Sequence, residues 1–181
     1  MNALNFIKVA IKDYKVGALT VSSRYIVQQI LRELKPDHKY IVEYGAGNGV
    51  ITKEILKILP QDGKLIAIEI NQELLTELRM IHDPRLTVIN KDVLEISKDF
   101  SQFNLPRIDA IISGIPFTFL EPKQRQALIA NTHAALVPKG IFITYQISLL
   151  TFPLLKRYFH KVSFRFEPRN FLPYFIIRAD K

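Results

Sequence analysis

Short apolar runs and segments with helical spacing alternate along the chain from residue 39 onward. The apolar runs predict seven strands, at residues 39–44, 64–70, 85–90, 107–113, 140–147, 161–167 and 174–178. Apolar positions three and four residues apart predict helices at residues 50–59, 72–82, 122–137 and 153–159, with a short helix after Asp92. Near-continuous apolar strands separated by amphipathic helices indicate an α/β fold, with a mostly parallel sheet that is covered by helices on both faces. Such sheets bind ligands beyond the carboxyl ends of their strands.

The first 36 residues predict two further helices. Residues 3–15 carry an apolar face (Leu4, Ile7 and Ile11), with three lysines elsewhere on the helix. A second helical pattern follows Ser22 and Ser23, which are plausible N-caps, and stops before Pro36. We therefore expect one domain over residues 1–181, with residues 1–36 as a helical N-terminal extension.

Composition narrows the chemistry. The chain has 181 residues, 48% of them hydrophobic, and no cysteine, which fits one globular domain in a reducing compartment and excludes disulfides and thiolate metal sites. Its longest uncharged stretch, residues 140–155, is too short to cross a membrane and contains Gln146 and Pro153. No metal-binding spacing links the four histidines, so we expect no metal site.

The net charge of +8 is concentrated at the two ends of the chain. Residues 1–36 hold six Lys or Arg against two Asp or Glu, and residues 150–181 hold seven against two. Residues 37–149 are nearly neutral, with twelve against thirteen. Basic ends favour an anionic partner, either nucleic acid or an anionic lipid surface, although plain solubility also explains such a charge.

A glycine loop joins the first predicted strand to its helix. Gly45–Gly49 follows Glu43, and the loop differs from the dinucleotide pattern because Val50 stands where a third glycine is needed. Glu69 ends the second predicted strand, and Asp92 follows the third. Alone, each acidic residue could be a helix cap or a surface charge. Together, at three successive strand ends, they suit a positively charged cofactor without phosphates, and S-adenosylmethionine is such a cofactor.

These residues resemble those of the Rossmann-like methyltransferases that use S-adenosylmethionine, over about residues 39–147. The resemblance implies that the glycine loop holds the methionine part, that Glu69 binds the ribose and that Asp92 lies at the adenine edge. The full set of cofactor-binding residues that we expect is Glu43, Gly45, Ala46, Gly47, Gly49, Glu69, Ile70, Asp92, Val93, Ser113, Ser22 and Ser23.

The fourth predicted strand ends in Ser113-Gly114-Ile115-Pro116-Phe117. Enzymes that methylate an adenine amine usually carry Asn or Asp, then Pro and an aromatic residue, at this place, and this chain has no such carboxamide or carboxylate there. The turn instead resembles that of the bacterial phospholipid N-methyltransferases. Residues 16–23 and 169–173 resemble two further motifs of that family, in the right order.

Three departures from the family's motifs leave the lipid head group open. Val21 and Leu172 replace prolines, and Tyr174 stands where a small residue is usual. An ornithine lipid or another aminolipid fits as well as phosphatidylethanolamine, which is the substrate that the resemblance favours.

The resemblance places residues 113–117 in the catalytic turn and implies that Tyr145, Asn170 and Tyr174 contact the substrate. Phe117, Tyr145 and Tyr174 are candidates for an aromatic cage around the methylated ammonium, and ordinary core packing is the alternative for each ring. No residue is a strong candidate for a general base.

The family's membrane association implies that the first helix docks on an anionic leaflet, so we expect a cytoplasmic enzyme held peripherally at the inner face of the cell membrane. Packing of that helix on the domain is the alternative. Two other functions remain open: an rRNA adenine dimethyltransferase, with nucleic acid as the less favoured partner, and a binding domain without turnover.

Overall fold

The computed structural model describes residues 23–169 and 173–181. The predicted helix at residues 3–15, Ser22 and Asn170 lie outside the described residues. Six α-helices are present in the described part: α1 (Arg24–Glu33), α2 (Val50–Ile58), α3 (Gln72–Arg79), α4 (Val93–Ile96), α5 (Pro122–Ala135) and α6 (Phe152–Tyr158). The strands are β1 (Tyr40–Tyr44), β2 (Lys64–Ile68), β3 (Leu86–Ile89), β4 (Ala110–Ser113), β5 (Ile141–Gln146), β6 (Lys161–Glu167) and β7 (Tyr174–Asp180).

The strands form one seven-stranded sheet in the order β3-β2-β1-β4-β5-β7-β6. Neighbours among β1 to β5 pair in parallel, whereas β7 is antiparallel to both β5 and β6. The prediction of a mostly parallel seven-stranded sheet is therefore confirmed.

Alternate side chains of the sheet enter two separate cores. Val42 and Tyr44 of β1 pack in a core with residues of α4, α5 and α6. Ile41, one position away, packs in the opposite core with residues of α1 and α2. Because both faces of the strands are buried, their sequences read as continuous apolar runs, and the predicted coverage by helices on both faces is also confirmed.

Five strands are shorter than predicted, and for two of them, β2 and β4, the difference has a polar cause. β4 begins at Ala110 rather than at residue 107, because the side chain of Asp109 accepts the backbone N–H groups of Lys39 and Tyr40, at 2.8 and 2.9 Å. β2 ends at Ile68, because the carboxylate of Glu69 turns back to backbone N–H groups of the neighbouring loops.

The residues of interest gather at the carboxyl edge of the sheet. The glycine loop follows β1, Glu69 follows β2, the residue 113–117 turn begins in the last residue of β4, and Tyr174 begins β7 beside the end of β5. Among the described residues, no helix is long and apolar enough to cross a membrane.

Candidate active site

The glycine loop is shaped for close approach of a ligand. The backbone N–H groups of Gly45 and Ala46 donate to the carbonyl of Ile68, at 2.9 and 3.0 Å, which ties the loop to the end of β2. Gly47 has φ 59°, and a Cβ built there would meet no atom within 4 Å. The loop therefore leaves open space at Gly47, in a conformation that favours glycine.

Gly49 serves a different purpose in the same loop. A Cβ at this position would lie 2.6 Å from Cδ1 of Ile81 and 3.0 Å from Cδ1 of Leu78. Gly49 is thus needed for the packing of α2 against the end of α3, while Gly47 faces open space.

Glu69 braces the loop from the end of β2. One carboxylate oxygen accepts the backbone N–H of Gly47 and the other accepts that of Asn71, both at 2.8 Å. The residue is only 7% exposed. Since each carboxylate oxygen has a second lone pair, Glu69 can keep the loop in place and still accept hydroxyl protons of a ribose.

Glu43 is a buried carboxyl group beneath the loop. The hydroxyl of Thr52 donates to it at 2.6 Å. Burial and, less strongly, the nearby charge of Glu69 raise the pKa of Glu43 to about 8, although the hydrogen bond from Thr52 lowers it. At neutral pH the free protein therefore holds Glu43 largely protonated.

This pKa predicts that cofactor affinity depends on pH. A bound ammonium or sulfonium group favours the ionised carboxylate, so binding releases the proton that Glu43 holds. Affinity for S-adenosylmethionine should rise from pH 6 to pH 8, by at most about tenfold per unit, and level off above the pKa. Calorimetric titration across this range measures the effect.

Glu43→Gln should flatten that pH profile, and Glu54→Gln, on the same helix as Thr52, is the control that should keep it. The free protein should also lose stability as the pH rises from about 5 to 8, because the unfolded state gives up this proton earlier than the folded state. Glu43→Gln should weaken that loss. A wild-type affinity that does not change with pH would contradict this role of Glu43.

Asp92 acts as a helix cap in the structure. Its carboxylate accepts the backbone N–H of Leu94 at 2.8 Å, at the start of α4. Val93 is buried in the core, whereas Ile70 is 63% exposed beside Glu69. The contact of Asp92 with the adenine edge, and the contacts of Ile70 and Val93 with the cofactor, stay predictions.

Ser23 occupies the N-cap position of α1, but its side chain makes no capping hydrogen bond. Its hydroxyl is buried and has no hydrogen-bond partner among the described residues. The predicted position of the cap is correct, while the predicted side-chain bond is absent.

The turn at residues 113–117 contacts the glycine loop directly. A Cβ at Gly45 would lie 2.8 Å from Cγ2 of Ile115, so the loop and the turn fit closely together. Ser113 is fully buried, and its hydroxyl has no hydrogen-bond partner among the residues that the structure describes. A buried unpaired hydroxyl is costly, which makes Ser113 a candidate to bind a ligand at this edge.

Gly114 leaves room for the phenol of Tyr145. A Cβ there would lie 2.1 Å from the Tyr145 hydroxyl and 3.2 Å from the carbonyl oxygen of Gly45. The Ser-Gly sequence of the turn therefore places the hydroxyl end of Tyr145 next to the glycine loop.

Gln146, at the end of β5, fastens the turn and was missed in the sequence. Its Nε2 donates to the carbonyl of Ile115 at 2.8 Å and to the hydroxyl of Thr144 at 2.9 Å. Its Oε1 accepts the backbone N–H of Phe117 at 3.3 Å. An amide inside the uncharged stretch of residues 140–155 was the available signal, because a buried amide needs such partners.

For Phe117, the alternative of core packing is the one that the structure supports. Phe117 is 0% exposed and its ring packs edge-on against Phe142, with centroids 6.3 Å apart, so it offers no free face to a substrate. Tyr145 and Tyr174 do lie together at the carboxyl edge, with ring centroids 6.1 Å apart and planes tilted by 44°. Burial raises the pKa of Tyr174, which keeps it neutral.

Arg169, the first residue of the C-terminal motif, is attached to α1 through Glu167 and Tyr25. Arg169 donates to the carboxylate of Glu167 from Nε and from a terminal nitrogen, both at 2.7 Å, and its guanidinium lies 4.2 Å from the ring centroid of Tyr25. Gln29 of α1 also donates to Glu167. Hydrogen bonding to Arg169 lowers the pKa of Glu167 to about 2.

Within the described ranges, no group of three or more His, Cys, Asp or Glu side chains is placed to hold a metal ion.

Comparison with known proteins identifies the family. The model of the ribosomal RNA adenine dimethylase family matches residues 14–133. The chain belongs to this family. It is an S-adenosylmethionine-dependent methyltransferase. The open space at Gly47, the carboxylate of Glu69 and the unpaired hydroxyl of Ser113 fit that cofactor.

Individual relatives differ in how much of the chain they match. An ornithine lipid N-methyltransferase from Singulisphaera acidiphila is 27% identical over 164 residues, which cover 87% of this chain and 84% of that protein. The ribosomal RNA small subunit methyltransferase A of Xylella fastidiosa (strain Temecula1) is 29% identical over 118 residues, covering 61% of this chain and 43% of that protein. The chain thus spans under half of the ribosomal RNA relative.

A solved structure supports the fold. The precorrin-6y C5,15-methyltransferase of Geobacter metallireducens superposes with a TM-score of 0.69 at 17% identity, over 90% of each chain. The predicted Rossmann-like class I methyltransferase fold is confirmed.

Proposed function

We propose that this protein transfers methyl groups from S-adenosylmethionine to the amine of a membrane aminolipid. The observation that carries the proposal is the turn that follows β4. A carboxamide or carboxylate that would grip an adenine amine is absent from it, and Ser113-Gly114 admits the phenol of Tyr145 instead. The relative that acts on ornithine lipid supports the proposal, because its match reaches over 87% of the chain.

The site's residues suit transfer to an aliphatic amine. The bound cofactor supplies a methyl group on a positively charged sulfur. The amine gives its proton to water before it reacts, and an apolar site lowers its pKa and so favours the neutral form. As the new C–N bond forms, the C–S bond breaks, and the product is a methylated ammonium ion. In this proposal the rings of Tyr145 and Tyr174, which lie together at this edge, stabilise that cation through their π faces.

The lipid is either phosphatidylethanolamine or an ornithine lipid. Both present a primary amine at the membrane surface. The resemblance of the turn to phospholipid N-methyltransferases favours the first, and the relative from Singulisphaera acidiphila favours the second. On either substrate, the protein would work peripherally at the inner leaflet.

Methylation of ribosomal RNA is the second candidate. It is supported by the family model and by the relative in Xylella fastidiosa. The net charge of +8 also suits RNA.

Expression in a suitable bacterial host separates these candidates. The host is chosen to make phosphatidylethanolamine and ornithine lipid and to methylate neither of them. It must also lack its own rRNA adenine dimethyltransferase. We expect mass spectrometry to find methylated forms of one of the two lipids, and primer extension to find no dimethylated adenine in the small-subunit rRNA. Glu69→Ala is the inactive control. Dimethylated rRNA together with unmodified lipids would contradict the proposal and establish the second candidate.

A further inference from the structure

A group of aromatic side chains lies at the outer end of the sheet. It consists of Phe152, Phe164, Phe166 and Phe175, and is called here the aromatic edge. Phe164 is 45% exposed and Phe166 53%, whereas Phe152 and Phe175 are half-buried. The four rings pack on one another in a row, with centroids 5.2 to 5.7 Å apart. Phe164 and Phe166 are two residues apart on β6, the last strand of the sheet, so their side chains point to the same face.

The charges around the aromatic edge are basic. Lys156 and Arg157 of α6 are exposed, and Nζ of Lys156 lies 4.9 Å from the ring centroid of Phe152. No Asp or Glu occurs from residue 150 to residue 166. Glu167, the next residue, is buried and bonded to Arg169 and Gln29. An apolar surface with these cations beside it is complementary to an anionic lipid surface.

The aromatic edge adjoins the candidate active site. β6 runs in the same direction as β5, so Phe166 lies near the carboxyl edge of the sheet. Phe175 pairs with Phe166 on one side and with Gln146 on the other. Gln146 holds the residue 113–117 turn through Ile115 and Phe117. In the sheet, Phe175 alone therefore lies between the exposed ring of Phe166 and Gln146, which supports the turn.

We propose that the aromatic edge is a membrane-docking surface, which inserts Phe164 and Phe166 into the interface of an anionic leaflet. The inference rests on the proposed function in one respect: the substrate is taken to be a lipid of the same leaflet. An aminolipid beside the docked edge would have its head group close to the residue 113–117 turn. Each phenylalanine that leaves water strengthens partition by roughly tenfold or more. Lys156 and Arg157 each add about fivefold at low salt.

Tryptophan fluorescence tests this placement directly, because the chain contains no tryptophan. Phe166→Trp places a single fluorophore in the aromatic edge. Met80→Trp, at a position that is 64% exposed outside that edge, is the matched control. The probes are vesicles of phosphatidylglycerol and brominated phosphatidylcholine, which quench tryptophan in the acyl region.

We expect the emission of Phe166→Trp to shift to shorter wavelength and to be quenched, and that of Met80→Trp to remain unchanged. Binding to vesicles without quenching of Phe166→Trp would contradict the proposal and assign docking to another surface, such as residues 1–22. A blue shift that depends on protein concentration and needs no lipid would also contradict the proposal. It would show that the aromatic edge binds a second copy of the chain instead. A failure to bind the vesicles would contradict it as well.

Sedimentation with the same vesicles gives an independent measure. Phe164→Ser combined with Phe166→Ser should reduce binding by about a hundredfold or more, while Ile58→Ser combined with Met80→Ser should leave it unchanged. Thermal unfolding and cofactor binding monitor the fold of both double variants. Equal binding by the two would contradict the docking role.

Methyl transfer to aminolipid in detergent micelles separates this inference from the proposed function. Transfer in micelles without insertion of Phe166→Trp would reject the docking surface alone. Insertion without transfer to any aminolipid would reject the proposed function and support the docking surface.

Discussion

Replacing Glu69 with alanine will lower the affinity for S-adenosylmethionine by about a hundredfold or more. If Glu69 binds the ribose as we expect, two hydroxyls lose their acceptor. The backbone N–H groups of Gly47 and Asn71 also lose the carboxylate that they bond to. Calorimetric titration measures the affinity, and thermal unfolding reports the accompanying loss of stability.

The matched control for this variant is Asn71→Ala. The Asn71 side chain caps α3 by accepting the N–H groups of Glu73 and Leu74, so its loss also weakens this part of the fold, by about 1 kcal/mol. Glu69 stays in place in that variant, and the affinity should change little. If Glu69→Ala binds the cofactor as well as the wild type does, Glu69 does not bind the ribose.

Replacing Gly114 with alanine will lower kcat by about a hundredfold at saturating cofactor. The new methyl group would lie 2.1 Å from the hydroxyl of Tyr145, so either the phenol or the turn must move. A displacement of about 1 Å at a reacting centre is sufficient for such a loss. The measurement is the initial rate of methyl transfer to aminolipid in micelles.

A second substitution tests the cause of that loss. Combining Gly114→Ala with Tyr145→Phe removes the hydroxyl that is closest to the added methyl group, although the ring carbon that carries it remains 2.8 Å away. We expect partial recovery of kcat relative to Gly114→Ala alone, and Tyr145→Phe alone is the control for the loss of the hydroxyl. A wild-type rate for Gly114→Ala would show that the close approach of Tyr145 and the turn has no part in catalysis.

Hydrophobic patterning was sufficient to predict the sheet, because strands buried on both faces leave continuous apolar runs between amphipathic helices. β2 was predicted to end too late and β4 to begin too early, because apolar content does not reveal that the side chains of Glu69 and Asp109 bond to backbone groups. The gathering of Glu43, Glu69 and Ser113 at one edge followed from the parallel direction of the strands.

The supporting contacts of the site could not be predicted in the same way. Gln146 acts through hydrogen bonds to a turn that is distant in the sequence, and no local pattern indicates such a partner. Phe117 follows the end of β4, where the alternation of strand side chains no longer determines the direction of a side chain. The structure places the ring of Phe117 in the core. The aromatic edge was missed because the sequence of β6 does not reveal that this strand is the last of the sheet, nor that the rings of Phe152 and Phe175 join those of Phe164 and Phe166.

The most direct test of the central claim is methyl transfer by the purified protein from methyl-labelled S-adenosylmethionine. Vesicles that contain phosphatidylethanolamine, ornithine lipid and phosphatidylglycerol are offered together with small-subunit ribosomal RNA. We predict label in a mono- or dimethylated aminolipid and none in the RNA. Label in RNA adenine, with none in lipid, would contradict the account.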